Sequence, residues 1–297
     1  VKYSMSGRSR RYGSALEPYL YLLPSLVIFT LFVGIPTLGA VVLSLLSWDG
    51  YTAPKFVGLA NYVQAFSDPI FWLSLWHNVV LIPYYVLLPA VLGLAPAAVV
   101  HHLKLRGSSI FRVGFFLPYI MPGVLIGVVW RWMLNPAFGP VNSLLGLVGI
   151  QPLGWLGDFN LALPSVGLIG AWATYGFCYV VFLAGLQKIP QELYEAARID
   201  GASGWQEFLA VTLPGLRGEI AVVIAVNLIN ALKVFDVIWA TTRGGPGRST
   251  SVVVLYMLEN AFNINRVGYG SVLGVIIAVL TLGLTLVTLR LFGESSD

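Results

Sequence analysis

Polar residues are placed so sparsely along this chain that the apolar stretches between them define its elements. About 20 apolar residues cross a bilayer as a helix. Six stretches meet that length: Tyr19–Leu46, Trp72–Leu103, Ile110–Leu134, Leu161–Leu186, Ile220–Ala240 and Val272–Leu289. They predict an all-α polytopic membrane protein with six transmembrane helices. Prolines inside them (Pro24, Pro36, Pro83, Pro89, Pro96, Pro118, Pro122 and Pro164) predict kinks, which membrane helices tolerate where neighbours satisfy the freed backbone groups. Small residues at Gly270, Gly274 and Ala278, and at Gly167, Gly170 and Ala171, predict close approach of a neighbouring helix.

The segment 189–214 breaks the pattern, because it reads as two short amphipathic helices rather than a connector. Pro190 suits a first turn, Glu192 sits near the positive end of the dipole, and Leu193, Ala196, Ala197 and Ile199 form an apolar side. Gly201 has the place of a helix-ending residue. Ser203 and Gln206 have capping-box spacing, and Trp205, Phe208 and Leu209 give the second helix its apolar face. Such an element either lies on lipid headgroups or docks a cytoplasmic partner. Adjacent alanines beside a carboxylate favour insertion into a protein groove.

Composition changes the picture only by naming the solvent. Hydrophobic residues make up 57% of the 297 and charged residues 10%, against about 25% charged in soluble domains, so lipid must cover most of the surface. The net charge of +4 does not point to nucleic acid, since no basic face with interleaved aromatics exists. The basic residues instead orient the spans. Lys2, Arg8, Arg10, Arg11, Lys104, Arg106, Arg112, Lys188, Arg198, Arg217 and Arg290 fall on one side, and Lys55, Arg131, Arg243, Arg248 and Arg266 on the other. The richer side is cytoplasmic, which predicts a multi-pass protein of the cell membrane with both termini cytoplasmic. The first apolar run is too long for a signal peptide and reads as a retained anchor. The single cysteine, Cys178, is expected to pack as a small apolar residue.

Candidate chemistry is thin, and that is informative. No G-x-x-x-x-G-K-[ST] phosphate loop occurs, so any ATP and Mg are expected on another chain and no cofactor or metal on this one. The glycines of Gly244–Thr250 lack the lysine, and His77, His101 and His102 make no ligand set. No catalytic residue is expected. Polar groups within spans are functional candidates. Asn227, Asn230, Lys233 and Asp236 recur every third residue, with Lys233 and Asp236 spaced to pair. They are candidates for a translocation pathway, with Trp172, Tyr175 and Tyr179 as stacking partners for a sugar ring; subunit cohesion is the competing use of the stripe.

Glu195-Ala196-Ala197, then three residues to Gly201, then nine to Val211-x-Leu213-Pro214, resembles the EAA loop of ABC-importer permeases, with Val211 in place of the usual Ile. Leu23-Pro24, Phe56-Val57-Gly58-Leu59-x-Asn61-Tyr62 and Phe235-Asp236-x-Ile238 followed by Thr242-x-Gly244-Gly245-Pro246 resemble the sugar-type branch of that family, the maltose and glycerol-3-phosphate permeases. The resemblance implies that Glu195, Ala196, Ala197, Asp200 and Gly201 couple to an ATP-binding subunit. It also implies that Arg243, Gly244, Gly245, Pro246 and Arg248, with the Phe56–Tyr62 stretch, contact an extracytoplasmic solute-binding protein. The implied assembly has a second, homologous permease and two ATP-binding subunits. The implied organisation is a tail 1–18, a first helix and external loop 19–71, a permease core 72–289 containing the coupling loop 189–214, and a tail 290–297. The solute stays open among mono- and oligosaccharides and glycerophosphate-type solutes. A gradient-driven transporter would instead need deep acidic groups and internal repeats, which the sequence lacks.

Overall fold

The computed structural model describes residues 17–102 and 108–293. The basic residues Lys2, Arg8, Arg10, Arg11, Lys104 and Arg106, most of the expected first tail and half of the last, lie outside that range. Among the described residues, four continuous helices are long and apolar enough to cross a membrane: α1 (Tyr19–Ser44), α3 (Pro69–His101), α7 (Ala162–Leu186) and α13 (Val267–Gly293). Each starts where local chemistry allows. Before α3, Asp68 caps the first turn by accepting from the Ile70 amide at 2.9 Å, and Pro69 occupies the position where a missing N–H costs nothing. That start lies three residues before the expected Trp72.

Two expected spans are broken. The stretch expected as one helix from Ile110 to Leu134 is α4 (Ser108–Ile120) and α5 (Gly123–Met133), bent by 99°. Pro122 causes the bend: it has no N–H to continue the helix, disfavours helical geometry at Met121 and is itself extended at ψ 135. The fifth stretch, expected from Ile220 to Ala240, is α10 (Arg217–Leu232), which stops, and α11 (Asp236–Thr241), which restarts after three residues. A further bend of 69° separates α10 from the preceding short helix α9 (Gly204–Gly215). The smaller helices are α2 (Ala60–Ser67), α6 (Pro140–Gly146), α8 (Gln191–Ile199) and α12 (Val253–Leu258). The fold is thus predominantly helical, with one addition: a two-residue antiparallel ladder of β1 (Leu46–Ser47) and β2 (Lys55–Phe56).

Helix α7 is the central pillar. Its small residues admit neighbours as expected, but partly as rings rather than as helices: Gly167 faces the Tyr84 ring and Gly170 the Tyr85 ring, both from a π turn at Pro83–Leu87 of α3. Lower on the same helix, Cys178 and Tyr179 press on Gly93 of α3, where a Cβ would fall 2.6 Å from the Cys178 side chain. Cys178 is buried as predicted. On α13, Gly270 and Gly274 face Ala261 and Met257, whereas Ala278 is exposed. Helix α1 leaves its apolar window unburied and meets the rest of the described chain through its C-terminal half, which packs on α13. There Asn61 donates to the Ser44 and Leu46 carbonyls at 3.0 and 2.9 Å, and the Tyr62 and Ser44 hydroxyls bond at 2.8 Å.

Candidate functional site: a helical joint, a broken span and an outer loop

The joint is α8 followed by α9. Helix α8 ends in a Schellman motif: the Gly201 amide donates to the Arg198 carbonyl at 3.0 Å and the Ala202 amide to Ala197 at 2.9 Å. That closure needs φ of +79 at Gly201, a region open to glycine and disfavoured by any Cβ. Ser203 and Gln206 then form the expected capping box, with reciprocal bonds of 3.4 and 2.7 Å. Two contacts turn the pair into one rigid body. Arg198 donates to buried Glu207 through Nε and Nη2, at 2.9 and 3.3 Å, and the Tyr194 and Thr212 hydroxyls meet at 3.0 Å under the turn. Glu207 holds the Arg198 guanidinium even further above its ordinary pKa. Glu195, Ala196 and Asp200 point outward and Ala197 is half-buried, beside exposed Leu193, Ile199 and Trp205. The apolar side therefore faces away from this chain. Sequence reasoning missed Tyr194, Arg198, Glu207 and Thr212, whose partners lie nine to eighteen residues apart.

The polar stripe does not survive as a stripe. Asn227 is wholly buried and donates to Cys178 Sγ at 3.1 Å, tying α10 to α7. Asn230 is half-buried in the last turn of α10; Lys233 caps that helix and is exposed; Asp236 opens α11 and is exposed. Because the helix stops between them, the expected Lys233–Asp236 ion pair does not form. The break is held open by Asn78 of α3. Its side-chain amide donates to the Ala231 and Leu232 carbonyls at 2.9 and 3.2 Å, and its oxygen accepts from Val253 at 3.1 Å. Ser74 and His77, on the same side of α3, bond Ser251. Of the aromatic candidates, Trp172 packs edge-on to Trp130 with centroids 5.5 Å apart and Tyr175 edge-on to Phe115 at 6.3 Å; Tyr179 is sealed beneath Phe115.

The loop after α11, expected on the outer side, is a compact knot. Thr242 and Thr250 hydroxyls bond at 2.7 Å, Thr250 also donates to the Gly245 carbonyl at 2.9 Å, and Gly245–Pro246 is cis. Gly244 is buried at φ +86. Arg243 is exposed, its guanidinium 5.6 Å from the Trp239 ring centre. Arg248 turns inward to a two-pronged pair with Glu259 at 2.9 and 2.8 Å, so its charge is largely neutralised within the chain. In the Phe56–Tyr62 stretch, Phe56 and Leu59 are exposed, while Asn61 and Tyr62 are the internal fasteners of α1.

A crossing-helix core with broken spans, and a rigid two-helix joint on one connection, defines the transmembrane subunit of a transporter. The fold matches at a TM-score of 0.75 that of a bacterial ABC transporter involved in import of the acidic polysaccharide alginate, at 22% identity over 94% of this chain and 96% of that one. The chain belongs to the binding-protein-dependent transport system inner membrane components, whose pattern spans residues 90–293. It is 37% identical to the probable ABC transporter permease YurN of Bacillus subtilis, over 94% of this chain and 97% of that one. The trehalose/maltose transport system permease MalF of Thermococcus litoralis is 35% identical, over 94% and 95%. As a permease of this family, the chain is embedded in the membrane and is not itself the ATPase.

Proposed function

We propose that this chain is one permease of an ABC importer for a carbohydrate delivered by an extracytoplasmic solute-binding protein. It works with a second, homologous permease and two ATP-binding subunits that carry the ATP and Mg. Taking α4–α5 and α10–α11 each as one crossing gives six spans, with both termini cytoplasmic. The observation that carries the reading is the outward-facing Glu195-Ala196-Ala197 helix locked to its neighbour by Arg198–Glu207. Closure of the ATP-binding subunits moves that joint, and α10 follows it directly. The pathway runs past Trp172, Tyr175, Asn230, Lys233 and Asp236, and Asn227 supports it from the α7 side. Exposed Arg243 and the loop edge Gly244–Arg248 face the binding protein. Relatives named for trehalose/maltose, sulfoquinovosyl glycerol and diacetylchitobiose support a sugar.

Exposed Lys233 and Arg131 favour a second reading, a glycerophosphate-type or other anionic solute. Proteoliposomes with the complete assembly decide between them: carbohydrate uptake is expected only with internal ATP, both kinds of partner subunit and loaded binding protein. Uptake driven by an ion gradient without ATP refutes the importer. In the same assay Asn230→Leu is expected to slow transport without reducing assembly; unchanged kinetics remove Asn230 from the pathway.

A further inference from the structure

Between the helix break and the outer loop lies a cleft of about 560 Å³ with two chemically different walls. One wall is a ladder on α11. Phe235 and Trp239 stack with centroids 5.7 Å apart and planes 25° from parallel, and the Arg243 guanidinium sits 5.6 Å beyond on Trp239. Phe235 and Arg243 flank the helix rather than belong to it, and the two ring contacts are what place all three side chains along one side of the chain. The other wall comes from a π turn at Glu259–Asn263, closed by the Ile264 amide bonding to the Glu259 carbonyl at 3.0 Å. The wider turn brings both Glu259 and Asn263 to the cleft, and π turns recur at functional sites. Glu259 is fixed by Arg248 at 2.8 Å, while Asn263 is exposed.

We propose that this cleft is a pyranose-binding subsite in which the solute rests between its delivery at the outer loop and its passage to the break at Lys233. The inference rests on the carbohydrate reading above. A pyranose has an apolar C–H face and an equatorial girdle of hydroxyls. The Phe235–Trp239 ladder offers the apolar surface such a face stacks on. The fixed Arg248–Glu259 pair and the Asn263 amide offer donors and acceptors to the hydroxyls at little ordering cost. The cleft is large enough for a one- or two-ring sugar, and its partial openness suits a site that must release what it binds.

The test uses the complete transporter in nanodiscs with labelling read on this chain alone, whose single native cysteine, Cys178, is buried and gives a quiet background. Asn263→Cys, with Phe262→Cys as a second position, is labelled by a polar maleimide with and without millimolar maltose or trehalose, glycerol serving as control. Protection by a disaccharide and not by glycerol is expected. Trp239→Ala should weaken that protection about tenfold, the scale of one aromatic contact, while Trp239→Phe retains most of it. Lack of protection in a complex that still imports carbohydrate overturns the subsite alone. So does blockage of both cysteines in the sugar-free complex, which would mean that a partner subunit fills the cleft, or protection by sugar-free binding protein, which would make the surface a receptor contact. A wild-type complex that imports no carbohydrate overturns the functional reading itself.

Discussion

Three backbone groups in the middle of the protein depend on one amide. Asn78 satisfies the Ala231 and Leu232 carbonyls and the Val253 amide from a fully buried position, where water cannot substitute. Asn78→Leu should destabilise the purified complex by about 3 kcal/mol or more, since each unsatisfied buried group costs ~1–3 kcal/mol; thermal unfolding in detergent measures it. Asp68 has the corresponding place at the outer surface, accepting from the Tyr256 and Tyr269 hydroxyls at 2.6 Å each. Burial pulls its pKa up, but those hydroxyls and the Ile70 amide outweigh it, and the carboxyl is held below the ordinary 3.8. A lowered carboxyl pKa stabilises the fold above the unfolded value and loses that contribution as pH falls through the folded one. Asp68→Asn should therefore melt earlier than wild type at neutral pH, and the gap should narrow below pH 3.8. A gap independent of pH would show that the charge is idle. Neither residue stood out in the sequence as a fastener, because their partners lie 153 to 201 residues away. Asp68-Pro69 has the residue types of a helix start, which the expected boundary at Trp72 passed over, whereas Asn78 could be noticed only as a polar residue in an apolar span.

At the scale of elements, the joint was the most legible part of the chain. Its caps are local: Gly201, Ser203 and Gln206 each act within five residues, and sequence spacing reports such distances directly. The space around Gly201 is open, with nothing within 4 Å of a built Cβ, so a side chain there meets backbone strain and no clash. Gly201→Val should cost about 1–2 kcal/mol at this one turn and abolish ATP-coupled uptake while the protein still inserts. Full transport by that variant would remove the turn from the coupling path. Reversing the pair Arg198–Glu207 by a double exchange should restore part of the uptake that either single change loses. The broken spans were less legible. Pro122 is visible in sequence, but a proline permits anything from a slight kink to 99°, and packing decides which. Gly123 and Gly127 of α5 lie against Asp236 and Ala240 of α11, and that contact selects the sharp bend.

For the whole molecule, apolar runs revealed lipid as the solvent, and the sequence could not show which helices touch. The first helix makes this plain. Its window is unburied within the chain, and Tyr21 and Phe32 are 86% and 76% exposed. Removing residues up to 33 should leave the thermal midpoint of the remaining helices nearly unchanged while reducing recovery of the second permease on co-purification. A large fall in the midpoint with normal recovery would show that this helix serves its own chain and not the contact with the second permease.

The interruption at Lys233–Phe235 bears on the transport cycle. Helix α10 is connected through the 69° bend to the joint, whereas α11 is bound to α5 through Gly123 and Gly127. A single rod through that position would transmit every inward stroke to the outer loop. Divided as it is, the chain would act as a clutch in the proposed cycle: α10 would turn with the joint while α11 keeps its grip on α5. One importer can then hold its far door shut at the moment its near door swings.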